Sequence, residues 1–156
     1  MSHCTETKMK SNMFSFKVLL FAVALTLLAV MVQSWSDGNL SSGELTRLYN
    51  SPVYKAERLK RPLGSSSFMI GPLSHSGVRV TLGDGTKWLV HKGDNYGISS
   101  QTVVTRAETL GSRWKVVKTG NFQGRKNVGD FVATGGSNYD FLFDNCHWAS
   151  IRMMNQ

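Results

Sequence analysis

The sequence predicts an α+β domain, a small antiparallel sheet of about four strands with helices packed on it, and three observations carry that prediction. Residues 77–82 alternate apolar and polar, Gly83-Asp84-Gly85 supplies turn chemistry, and residues 86–91 return to β-rich sequence, so this stretch reads as a β-hairpin. Residues 102–105 and 114–118 suit a pleated, half-buried surface and add a third and a fourth strand, with Trp114 and Val116 facing inward. The period then changes. Val128, Phe131 and Val132 share one helical face ahead of Gly135-Gly136, and Cys146, Ala149, Ser150 and Met153 follow at i, i+3, i+4 and i+7, with Asp144 or Asn145 as the N-cap.

The 156 residues have room for one such domain, placed at residues 68–156 behind three other segments. Residues 1–17 form a basic tail in which Lys8, Lys10 and Lys17 face only Glu6. Residues 18–34 hold the unbroken apolar run VLLFAVALTLLAVMV, which reads as a signal peptide cut near Gln33-Ser34-Trp35 or as a retained signal-anchor helix. A run of about 15 residues is short of the ~18–20 that span a bilayer comfortably, which favours cleavage. In either case the remainder crosses into the secretory pathway, as a secreted protein or as a single-pass membrane protein with its C-terminal domain outside the cytosol. Residues 35–67 read as a polar linker with a short amphipathic piece, Glu44 to Tyr49. The sequon Asn39-Leu40-Ser41 lies in that linker and makes Asn39 a glycosylation candidate.

From Ser34 onward fifteen Lys and Arg stand against nine Asp and Glu, so the exported part is moderately basic. Its densest positive stretch contains Lys55, Arg58, Lys60 and Arg61 and suits an anionic lipid surface or glycan, or else is a solvated helix face or linker. A structural membrane protein docking through this stretch is one reading. Nucleic acid is not an expected partner, because no aromatic interleaving or fold signature accompanies the charge. In the exported part, one cysteine and three histidines without HExxH or CxxC spacing give no expected metal site, and Gly83-Asp84-Gly85 without a following helix gives no nucleotide loop; no cofactor is expected. Cys146 is the single cysteine of the exported part, which therefore has no internal disulfide.

Three residues converge on chemistry. Cys146 opens a helix, where free backbone N–H groups and the positive end of the dipole favour thiolate. His75 and His91 lie at the outer ends of the predicted hairpin, which brings them near each other. His147 points elsewhere around the helix and reads as surface or pocket rim; Asp84 reads as a turn residue.

The segments Leu73-Ser74-His75-Ser76-Gly77-Val78, Leu82-Gly83-Asp84-Gly85, Leu89-Val90-His91 and Asn145-Cys146-His147 resemble motifs of the lecithin:retinol acyltransferase-like family, a circularly permuted branch of the NlpC-type papain-like thiol enzymes. That resemblance implies a permuted papain-like arrangement, with Cys146 as nucleophile, His75 as its base, His91 orienting the base, and the Cys146 N–H in an oxyanion hole. It implies a thiol hydrolase or acyltransferase acting through a Cys-linked acyl intermediate on an acyl-lipid or amide substrate. The family has Glu-His-Phe after its cysteine where this chain has His147-Trp148-Ala149, and the run from Tyr139 to Cys146 also resembles the cysteine motif of the PPPDE thiol peptidases. The alternative from another class is a catalytically inactive extracellular or membrane-anchored binding domain of the same fold.

Overall fold

A computed structural model describes residues 40–97 and 100–156. The basic tail, the apolar run at 18–32 and Asn39 lie outside the described residues; among those described, no helix is long and apolar enough to cross a membrane.

Among the described residues the architecture is α+β, one five-stranded antiparallel sheet with three α-helices. In chain order these are α1 (Ser42–Tyr49), β1 (Pro52–Pro62), β2 (Ser74–Leu82), β3 (Lys87–Lys92), β4 (Thr102–Arg106), β5 (Lys115–Asn127), α2 (Val128–Gly135) and α3 (Cys146–Met153). The sheet order is β4-β3-β2-β1-β5: a meander from β1 to β4, with β5 returning to the far side of β1.

The predicted hairpin is β2–β3. Its turn is held by Leu82 N donating to Thr86 O and by the Asp84 carboxylate accepting from Thr86 N at 2.9 Å, and Gly85 takes the left-handed φ of +83° that disfavours a side chain. The fifth strand corrects the expected count of four. It is β1, and it runs through residues the sequence assigned to the linker at 35–67. Its charged side chains conceal the strand because they are engaged by the sheet, a helix and a loop: Glu57 on β1 bonds Arg79 on β2 at 2.8 Å, Arg58 bonds Ser150 and Lys60 bonds Met69 O, while Val53, Ala56 and Leu59 are buried. The amphipathic piece of that linker is α1, opened by a reciprocal cap between Ser41 and Glu44.

Helices α2 and α3 pack against one face of the sheet, and Leu48 of α1 joins the same core. Val78, Val80, Val90 and Val104 from the strands meet Phe131 of α2 and Ala149 and Met153 of α3 in a single core. A bulge completes it. Between the pairs Val53↔Lys126 and Lys55↔Asn121, β5 inserts extra residues opposite Tyr54, with Gln123 and Gly124 at positive φ. Phe122 in that bulge is buried and stacks edge to face on Phe131 with centroids 5.0 Å apart. The N-cap of α2 is Asn127, whose side chain accepts from Asp130 N at 2.8 Å.

Candidate functional site

Successive residues of β2 point to opposite faces of the sheet, and that parity arranges everything near Cys146. Ser74, Ser76 and Val78 face the helices, as do Arg58 and Lys60 paired beside them on β1. Arg58 Nε donates to Ser150 Oγ of α3 at 2.9 Å, and Ser76 Oγ bonds His147 Nδ1. His147 Nε2 meets Gly71 O at 2.9 Å, so that nitrogen is the donor and Nδ1 accepts from Ser76.

Cys146 is the first residue of α3 and is buried. Asn145 caps the helix through its side-chain oxygen, which accepts from His147 N at 3.0 Å and Trp148 N at 3.3 Å. Burial pushes the Cys146 thiol up from its ordinary value, while the backbone N–H groups of Ser76, Cys146 and His147 and then the Arg58 guanidinium pull it the other way. Three amides and one cation are thus disposed to favour negative charge at the sulfur.

His75 and His91 face the other side. The register pairs His91 with Gly77 and His75 with Arg61, so both imidazoles share a face with Leu59, Leu89 and Arg79. Gly77 makes the pair feasible, since a Cβ there would stand 2.9 Å from His91 Cβ. His75 Nε2 lies 3.1 Å from His91 Nδ1, and the rings of Tyr96 and Trp114 stack edge-on against His75, with Arg61 over Trp114. Burial holds His75 well below the ordinary histidine range, helped by His91, Arg61 and His147; burial and then Arg61 lower His91 to about 4. Both rings are therefore neutral at pH 7, one donating and one accepting.

The structure thus brings His75 to His91, as the hairpin predicts. Among the described residues, no hydrogen bond joins either imidazole to Cys146, and the two histidines, on β2 and β3, project from the face of the sheet opposite the one that α3 covers. Cys146 and His75 nevertheless line one cavity of about 650 Å³ that opens at the end of the sheet. Its wall is mixed: Leu63, Phe141, Leu142, Trp148 and Ile151 are apolar, and Arg58, Lys60 and His147 are basic or polar. Tyr96 and Tyr139 also line it, and burial pushes the Tyr96 phenol up to about 12.

Lys92 is a site residue that sequence reasoning passed over. Its side chain has no exposed surface; Nζ bonds Asp144 at 2.6 Å and Gly135 O at 3.0 Å, and Arg152 bonds the other Asp144 oxygen at 2.7 Å. Burial would raise the Asp144 carboxyl, but Lys92 and Arg152 hold it below its usual range. This cluster ties the end of α2 and the segment before Cys146 to β3. His147, read as surface or pocket rim, does line the cavity and in addition bonds α3 to β2. The signal for it was available in the parity of Ser74 and Ser76 with Val78.

The four cations of the basic stretch do not form one patch. Arg58 and Lys60 face the helices, and Lys60 Nζ donates to Met69 O at 3.1 Å. Arg61 lies over Trp114 on the opposite side, and the exposed Lys55 pairs with Glu57 at 2.8 Å. Among the described residues no group of three or more His, Cys, Asp or Glu side chains is placed to hold a metal ion. Compared with known proteins, the chain matches no family model, no curated protein and no solved structure.

Proposed function

We propose that this domain is a thiol hydrolase or acyltransferase of permuted papain-like arrangement, forming an acyl thioester on Cys146. The observation that carries the reading is the placement of Cys146 at the N-terminus of α3 in the wall of a 650 Å³ cavity, with three backbone N–H groups acting on its sulfur. In this reading the thiol proton passes to His75, whose ring lines the same cavity, and the sulfur attacks a substrate carbonyl. The developing oxyanion is met by backbone N–H groups at the start of α3. Collapse expels the alcohol or amine, which takes the proton back, and water or a second acceptor then cleaves the thioester. His91 orients His75 through the 3.1 Å contact. The apolar wall suits an acyl lipid or an amide of an acyl chain. Delivery outside the cytosol through residues 18–34, with Asn39 glycosylated, belongs to the same proposal and rests on the sequence.

A second reading, a binding domain without catalysis, is favoured by a specific observation: His75 is engaged by His91 on the far face while burial raises the thiol. The two readings separate on the pH dependence of Cys146 alkylation. An enzyme gives a reactive thiolate near neutral pH that His75→Ala abolishes, together with a trapped acyl-enzyme from activated esters that Cys146→Ser cannot form. A binding domain gives a thiol that reacts only at alkaline pH in both proteins.

A further inference from the structure

The wall of the Cys146 cavity includes Phe141, Leu142 and Trp148, which the protein holds out into solvent, and Gly71 of the neighbouring segment 68–73. Phe141, Leu142 and Phe143 are 60%, 66% and 79% exposed, and Phe68, Ile70 and Trp148 are also more than half exposed. A scattered exposed Leu needs no explanation, but exposed apolar side chains in and beside the wall of a cavity do.

The first tip is rigidly built. Asp140 and Asp144 exchange backbone hydrogen bonds at 3.0 Å in both directions, and the Asp140 carboxylate accepts from Leu142 N at 2.9 Å and Phe143 N at 2.7 Å. Asn145 Nδ2 donates to Phe141 O at 2.8 Å, so the backbone polar groups of the turn are met internally while its side chains point away. Lys92 and Arg152 grip Asp144 at its base. The second tip, residues 68–73, is tied down by Lys60 on Met69 O and by His147 on Gly71 O, leaving Phe68 and Ile70 outward. Phe141, Leu142 and Trp148 belong both to this exposed group and to the cavity wall.

The geometry points to a lipid bilayer surface as the occupant: the two tips and Trp148 insert at the interface, and the cavity opens toward the lipid. Four observations favour lipid over a protein partner. The apolar groups stand on separate tips beside an opening rather than on one flat face. Trp148 presents an amphipathic ring of the kind that settles at headgroup depth. In a chain that keeps the apolar run at 18–32, only residues 33–39 separate it in the sequence from Leu40, a tether of at most about 30 Å when extended. An excess of fifteen cations over nine acids from Ser34 onward suits an anionic leaflet. The exposed apolar group, rather than the divided basic stretch, is the contact surface. This inference is independent of the chemistry at Cys146.

The test uses the full chain reconstituted in phosphatidylcholine–phosphatidylserine vesicles whose acyl chains carry bromine. Subtracting the tryptophan fluorescence of Trp148→Phe from that of the native chain isolates Trp148. Docking predicts that brominated lipid quenches this component and that Phe143→Ser, at the most exposed position, reduces the quenching several-fold. The combined variant Phe141→Ser, Leu142→Ser, Phe143→Ser should abolish it, with an unchanged circular dichroism spectrum confirming the fold. A Trp148 signal indifferent to bromine in the native chain overturns the proposal. So does quenching that all variants retain, or an apolar group covered instead by a second copy, seen as self-association that the same variants relieve.

Discussion

The two faces of the sheet are built on different chemistry. The helix-covered face is aliphatic and aromatic throughout its centre, with Val78, Val80, Val90, Phe131 and Met153 fully buried. The other face carries two imidazoles, a tyrosine, a tryptophan and the Glu57–Arg79 ion pair over a small apolar layer of Leu59, Leu89 and Val103. The first face derives its stability from volume and responds to holes. The second derives its order from hydrogen-bonded and edge-to-face rings, and responds to protons. Adjacent residues of one strand, Ser74, His75 and Ser76, serve different faces, so a shift of one position would exchange these roles.

That contrast can be broken most forcefully on the helix side. Phe131→Ala should cost about 3–5 kcal/mol, because a fully buried ring is lost between Phe122 and the strands, and urea denaturation should show the midpoint falling without a change in slope. On the opposite face the lever is pH. His91 has a folded pKa of about 4 against an ordinary 6.5, and His75 is depressed as well, so the unfolded chain binds protons more readily. The stability held above pH 6.5 is then lost as pH falls toward 4, by on the order of 3 kcal/mol for His91. Urea midpoints at pH 7 and pH 4.5 should diverge in the native protein and diverge less in His91→Gln, where the buried His75 alone remains; equal divergence in the variant would place the proton sensitivity elsewhere.

A smaller effect tests the packing between the imidazoles and the strands. Gly77→Ala adds a Cβ 2.9 Å from both His91 Cβ and Leu89 Cδ1 and 3.2 Å from the Val90 carbonyl oxygen. A loss of about 1–3 kcal/mol is expected, with displacement of the His75 and His91 ring resonances in NMR spectra. Smallest is Asn145→Ala, which removes the cap of α3 at about 1 kcal/mol. By freeing the first turn it should also make Cys146 more accessible to alkylation; an unchanged rate would mean that the first turn holds without its cap.

The parts of the fold legible in the sequence are those whose period is uninterrupted. The β2–β3 hairpin was readable from its alternation and from Gly83-Asp84-Gly85, and α3 from the spacing of Cys146, Ala149, Ser150 and Met153. Strand β1 was not, because the bulge beside Tyr54 breaks the two-residue period between Val53 and Ala56, Leu59 is buried on the opposite face, and the charges between them imitate a solvated segment. The pairing of His75 with His91 follows from hairpin register, which turn chemistry gives away. Which face the pair occupies relative to α3 depends on tertiary packing, and local spacing does not encode it. The Lys92–Asp144–Arg152 cluster was equally hidden: it joins β3, the turn before α3 and α3 itself, and no short motif records such a meeting.

Lys92 has a practical consequence. An amine without exposed surface, engaged by a carboxylate and a carbonyl, is shielded from acylating reagents that reach Lys55 on the same sheet. Mass-spectrometric footprinting would therefore find Lys92 silent in the native chain, and its first appearance among labelled amines would time the release of the α2 terminus from β3 during unfolding. The molecule carries its own chemical clock for that event.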